Sequence, residues 1–301
     1  EIAQCLVGSE MCIRDRSKED ARKMGIQIVP ISVRFGDEEF LDGVEITHEE
    51  FYTRLAECDE LPKTSQPSPD TFMKVFNEAV AAGDDVLGIF ISSDLSGTYQ
   101  SACLAALDVE EKTGKKLYMV DSRSASIGTA LLIREAVKLR DAGVNVSDIA
   151  AACTEMSKYI KLTAAVGSLK YLKMGGRLSG AAAFAGTMLH ITPVVSIEDG
   201  KVVVIGKTRG KKAAEKLMHD KLIKDGLSLT RDFMFGHINC SESLETFINK
   251  SLTYISDVNG NVCVSSIGCS VGTHVGPGTY GIAYVEAAES GMNRESIVKT
   301  A

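Results

Sequence analysis

Residues 85–98 read Asp-Val-Leu-Gly-Ile-Phe-Ile-Ser-Ser-Asp-Leu-Ser-Gly-Thr, an apolar run that gives way to small polar residues. A short apolar run with branched residues, closed by Ser and Gly, predicts a buried strand and a polar loop. Tyr99 to Thr113 then has the spacing of a helix. The same order recurs at once, with Lys116-Leu-Tyr-Met-Val as strand, Asp121-Ser-Arg-Ser-Ala-Ser as polar loop and Ile127 to Ala142 as helix. Strands alternating with helices predict a parallel sheet with right-handed crossovers. Ligands of such sheets sit beyond the carboxyl ends of the strands, where both polar loops fall.

Toward the amino terminus, Ser17 to Met24 predicts a short helix closed by Gly25, and Ile26 to Phe35 one buried strand. Asp37-Glu-Glu-Phe-Leu-Asp-Gly adds a turn and a short strand, and Thr47 caps a helix running to about Cys58. Residues 61–69 hold three of the six prolines and predict a rigid extended loop. Ser68 or Asp70 caps the next helix, through Ala82. Residues 1–16 show no clean period and lack the basic and apolar regions of a signal peptide. Residues 7–16 also resemble translated adapter read-through, so 1–16 are expected to be foreign to the fold.

Beyond Asn145 the pattern changes. Val146 to Lys161 predicts a helix, Leu162 to Gly167 a strand, and the Gly/Ala-rich Met174 to Ala185 a turn with a tightly packed helix. Pro193 to Lys207 predicts a hairpin turning at Asp199-Gly200. Further strands are expected at 232–238, 261–267 and 280–285. Hairpins point to a mixed or antiparallel sheet, which sets domain bounds of 17–158 and 159–301.

Of 301 residues, 45% are hydrophobic and 24% charged, with no Trp, which is globular composition with an aliphatic core. The formal charge of −7 argues against broad nucleic-acid binding. No apolar run is long enough to span a membrane. The eight cysteines have neither C-x-x-C nor zinc spacing and are expected to be reduced, mostly buried thiols of a cytoplasmic protein.

Gly268-Cys-Ser-Val-Gly272 matches a nucleophile elbow, but the Thr273-His-Val-Gly-Pro-Gly that follows is expected to be a loop. His274 is also the last histidine, too close to serve as the late member of a triad. Neither a P-loop nor a dinucleotide-binding glycine motif is present. His190 and His219 lack metal spacing, so core or surface roles are expected. A wider constellation remains: Thr64-Ser-Gln-Pro, Ser92 to Thr98, Met174-Gly-Gly-Arg177 and His274-Val-Gly-Pro-Gly-Thr. Hydroxyls, a helix start near Ser96, one Arg and one His in a glycine-rich loop suit a carboxylate or phosphate.

In this order and spacing, with Gly25-Ile-Gln-Ile-Val-Pro-Ile-Ser-Val and Asp121-Ser-Arg-Ser-Ala-Ser-Ile-Gly, these motifs resemble the DegV family of bacterial lipid-binding proteins. That family includes the fatty-acid-binding subunits of the bacterial fatty acid kinase system. The resemblance implies an α/β fold of two domains. An N-terminal Rossmann-like parallel sheet carries helices on both faces, and the C-terminal α/β domain has a mixed or antiparallel sheet. A long-chain fatty acid is enclosed with its carboxylate near the interdomain cleft. The implied ligand-binding residues are Thr64, Ser65, Ser96, Gly97, Thr98, Arg177 and His274, with Arg209 helping to dock an ATP-dependent kinase that makes the acyl phosphate. The protein is then a non-catalytic carrier in phospholipid metabolism, without cofactor or metal. The competing expectation is an enzyme acting on an acyl or phosphoryl substrate with Ser96, His274 and Arg177, and a third is a regulatory protein with an empty pocket. One departure stands out: the family opens with a strand ending in Thr-Asp-Ser, and residues 7–16 hold no such motif. Either a central strand is missing, or other sequence fills it.

Overall fold

The structure, a computed structural model, describes residues 4–8, 21, 24–58, 60–179, 191–228, 230–253 and 260–287. Its first part runs β1 (Gln4–Gly8), β2 (Ile26–Ile28), β3 (Ser32–Phe35), β4 (Glu38–Leu41), α1 (His48–Glu57), β5 (Lys63–Ser65) and α2 (Pro69–Ala82). Then come β6 (Asp85–Phe90), α3 (Thr98–Thr113), β7 (Tyr118–Asp121), α4 (Ile127–Asp141) and α5 (Val146–Met156). The second part runs β8 (Ile160–Ala165), α6 (Lys170–Met174), β9 (Ile191–Glu198), β10 (Lys201–Arg209) and α7 (Lys211–Asp225). It closes with β11 (Phe233–His237), α8 (Ser241–Leu252), β12 (Val262–Ser266), α9 (Cys269–Val275) and β13 (Tyr280–Val285).

The expected parallel sheet is present, in the order β2-β1-β6-β7. Gln4–Gly8 fills the position between β2 and β6, so these five residues lie inside the fold. Strand alternation sends neighbouring side chains to opposite faces. Val7, Val86 and Phe90 pack with Phe72 and Phe76 of α2 and Ala102 and Ala105 of α3. Leu6, Leu87 and Ile89 face the other way, onto α4 and α5.

A second sheet has the order β10-β9-β8-β13-β11-β12, with β11 and β12 parallel and the other pairs antiparallel. Its outer face packs on α7 and α8 through Phe233, Phe235, Tyr280, Met218 and Phe247. Its inner face, including Leu162, Val195 and Ile197, shares a core with α4. That helix is therefore enclosed by both sheets, which is why eleven of its fifteen residues are buried. Two buried acids keep it in place: Glu135 pairs with Arg231, and Asp232 with Arg134 and Lys138. The β9–β10 hairpin turns on Asp199 and Gly200, both at positive φ as a two-residue turn requires.

Four local readings need correction. Ile26–Phe35 is not one strand: the chain leaves the parallel sheet after Ile28, and Pro30, which has no N–H to donate, separates it from β3. The proline-rich loop contains β5, because Lys63 to Ser65 keep their N–H groups and pair antiparallel with β3. The helix from Val146 stops at Met156, and Ile160, rather than Leu162, begins the strand. Residues 269–275 form helix α9, with His274 in its last turn, so the expected loop is confined to the residues from Gly276 onward.

The helix expected over Ser17–Met24 lies outside the described residues apart from Ala21 and Met24, as do residues 180–185 of the Gly/Ala-rich stretch and His190. None of Cys58, Cys103, Cys153, Cys240, Cys263 and Cys269 is in a disulfide. Among the described residues, no helix is long and apolar enough to cross a membrane.

Candidate functional site

An open cavity, with about 1040 Å³ of empty space including solvent, lies between the inner face of the second sheet and the loops that follow β6 and β7. Its polar lining comes from five separate segments. β5 presents Thr64, and Gln66 follows it. The loop after β6 brings Ser96, the loop after β7 brings Ser126, Arg177 follows α6, and α9 with the turn after it supplies Ser270, His274 and Thr279.

Each side chain has an identifiable support. Ser96 Oγ lies 2.9 Å from Thr98 Oγ1, at the start of α3. Between them, Gly97 has no Cβ, and one there would collide with the Gln66 amide, so this glycine makes room for Gln66 at the cavity wall. Arg177 follows Gly176, which takes a left-handed φ of 69°. Its Nη1 donates to Gly175 O at 2.6 Å and its Nε to Leu95 O at 3.2 Å, bridging the second part of the chain to the Ser96 loop. Ser92 Oγ adds a buried bond to Gly200 O at 2.8 Å, and Arg123 pairs with Asp199 at 2.9 Å.

His274 Nε2 lies 3.1 Å from Thr64 Oγ1. Its Nδ1 is buried and has no hydrogen-bond partner among the described residues. Burial, with the Arg177 charge adding to it, pushes the His274 pKa down to about 4. The imidazole is thus neutral at neutral pH.

The structure brings Thr64, Ser96, Arg177 and His274 to one cavity. It does not bring all the expected residues there. Ser65 is exposed, because strand alternation turns it away from Thr64. Thr98 is fully buried behind Ser96, and neither it nor Gly97 lines the space. Arg209, expected to meet a partner and not the ligand, is exposed at the end of β10. His219 is a core residue, bonded to Ser251 at 2.9 Å and stacked on Phe247.

Sequence reasoning missed Gln66, Ser126 and Ser270 as wall residues. Ser126 had a usable cue, since it ends a polar loop in the same place after β7 that Ser92–Thr98 holds after β6. Its φ of 52° is uncommon for a non-glycine residue, a kind of backbone strain that concentrates at functional sites.

The rest of the wall is aliphatic, including Leu162, Ala164, Val195, Ile197 and Val202 from the second sheet. Among the described lining residues Arg177 is the one permanent charge, and no carboxylate is present. Such a wall accepts an anionic head at the hydroxyls and Arg177 and an apolar body beyond them.

A family model described as "Uncharacterised protein, DegV family" matches residues 7–287. The chain is 37% identical over 272 residues to a DegV domain-containing protein of Clostridium acetobutylicum, covering 87% of this chain and 91% of that one. Among solved structures it is similar to a DegV family protein from Thermus thermophilus described for its fatty acid binding. That match has a TM-score of 0.84 and 28% identity, covering 95% of this chain and 100% of the other. It is also similar to a stearic acid-binding protein from Eubacterium ventriosum, with a TM-score of 0.81 and 27% identity, covering 95% and 98%.

Proposed function

The chain belongs to the DegV family, and from that premise we propose that it binds a long-chain fatty acid and presents the carboxylate to a kinase. The observation that carries this reading is the cavity wall, where polar groups and Arg177 gather among otherwise aliphatic residues. Thr64 and Ser96 hydrogen-bond the carboxylate, while Arg177 and His274 lie close to it. The acyl tail runs over Leu162, Ala164 and Val195, and each buried methylene contributes roughly 0.8 kcal/mol. The two domains, divided near residue 158 and with Gln4–Gly8 belonging to the first, supply opposite walls. Binding of fatty acids by the Thermus thermophilus and Eubacterium ventriosum relatives supports the same assignment.

In this reading the protein is a carrier in the cytoplasm and needs no cofactor of its own. A separate ATP-dependent kinase transfers the γ-phosphoryl group to a carboxylate oxygen, giving an acyl phosphate and ADP. Arg209, exposed at the end of β10, helps to dock that kinase. The decisive experiment is native mass spectrometry of protein expressed in bacteria, followed by extraction of the bound lipid. A co-purified acid of myristate to stearate length is expected. A clean apo mass, together with no uptake of added oleate, overturns the reading.

A further inference from the structure

A second cluster of chemically able side chains lies outside the cavity. Asp42 follows β4, His48 opens α1 and Cys269 opens α9. One ligand atom from each lies within 4.8 Å of the other two. Asp42 and Cys269 are buried, at 7% and 0% exposure. His48 Nδ1 is 3.2 Å from Ser266 Oγ, whereas its Nε2 is buried with no hydrogen-bond partner among the described residues. A buried ring nitrogen left unpaired is costly, so it calls for a partner.

We propose that Asp42, His48 and Cys269 form a binding site for a divalent cation of the zinc class. Thiolate, imidazole and carboxylate together suit a borderline-soft ion that accepts mixed S, N and O ligands in tetrahedral geometry. Ligand atoms already this close need only a small contraction around the ion. In the tautomer whose Nδ1–H donates to Ser266 Oγ, Nε2 keeps the lone pair that a metal takes, and the serine fixes the ring as outer partners of metal-bound histidines do. The charges also balance, since a thiolate and a carboxylate neutralise a dication in a buried place. Binding releases one proton, from Cys269 Sγ to solvent, while the carboxylate and the neutral imidazole lose none. The fourth position falls to water.

Asp42 has a structural task as well. Its carboxylate accepts from Cys269 N at 3.1 Å and Ser270 N at 2.8 Å, holding the start of α9. A carboxylate has further lone-pair sites, so this does not bar it from a metal. The bound cation would tie β4 and α1 to the helix that carries His274.

The test uses the full chain, stripped with EDTA and kept reduced with a non-chelating phosphine, then titrated with cobalt(II) and afterwards with zinc. A cobalt–thiolate charge-transfer band is expected, saturating at one ion per chain and erased by zinc. Cys269→Ser should abolish the band, His48→Asn should weaken cobalt binding at least tenfold, and Cys103→Ser should leave both unchanged. Absence of the band in the unsubstituted protein overturns the site, as does its survival in a folded Cys269→Ser protein. If Cys269→Ser does not fold, His48→Asn decides, and unchanged cobalt affinity in that variant overturns the site.

Discussion

Thr64 Oγ1 and His274 Nε2 are separated by 210 residues in the chain and by 3.1 Å in space. One sits on β5, a strand bracketed by prolines, and the other in the last turn of α9, so the contact joins the paired β3 and β5 to the second part of the chain. It also places a neutral imidazole beside Arg177, the one permanent cation among the described residues of the cavity wall.

His274 makes stability depend on pH. Its folded pKa of about 4 lies below the ordinary value of 6.5, so between the two the unfolded chain binds more protons. The contribution is complete above about pH 6.5 and is lost as the pH falls through about 4. It amounts to roughly 3 kcal/mol. Urea unfolding at about pH 7 and about pH 4.5 should show a smaller acid-induced loss in His274→Gln than in the unsubstituted protein. Equal losses in the two proteins would contradict this assignment.

Gly97→Ala tests the place made for Gln66. The Gly97 φ of −74° suits alanine, so the expected damage is steric alone. Fatty-acid affinity should drop, and stability should fall by about 1–3 kcal/mol as in other overpacked sites. Calorimetric titration with oleate checks the first effect. Restoration in Gly97→Ala/Gln66→Ala would identify the collision as the cause, and no restoration would refute it.

Ala164→Leu narrows the aliphatic end. Ala164 lies opposite Gly281 on one side and Val195 on the other, all three at the cavity wall. The longest acids should be lost first and shorter ones retained. Lipid extracts of the variant, resolved by chain length, show whether the distribution shifts. An unchanged distribution would place the tail elsewhere.

Glu135→Ala should cost about 3–5 kcal/mol, because it leaves Arg231 charged and buried without its partner. The double variant Glu135→Leu/Arg231→Met should recover most of that loss. Chemical denaturation of the three proteins measures it. A single variant near the unsubstituted stability would show that water already reaches this pair.

Much of the architecture was legible because it is written locally. Thr47, Ser68 and Asn145 each hold an amide three residues on, and continuous apolar runs mark β6 and β13. α9 was not legible: its first amides are held by Asp42, 227 and 228 residues away, and no local cap announces it. β5 was hidden for a similar reason, since three residues between prolines become a strand only when β3 lies beside them.

The site divides along the same line. Residue types and loop order were enough to suggest an anion site, and the resemblance to the DegV family singled out Thr64, Ser96, Arg177 and His274 within it and implied the apolar tail. Which neighbours share that wall depended on side-chain direction. Strand pleating turned Ser65 out, helix geometry put Thr98 behind Ser96, and the missing Cβ of Gly97 let Gln66 in. Local sequence determined most of the elements, α9 and β5 excepted, and the chemistry available at their ends. Only the tertiary structure decided which ends meet, because hydrogen bonds and packing between distant segments exist only once the chain has closed on itself.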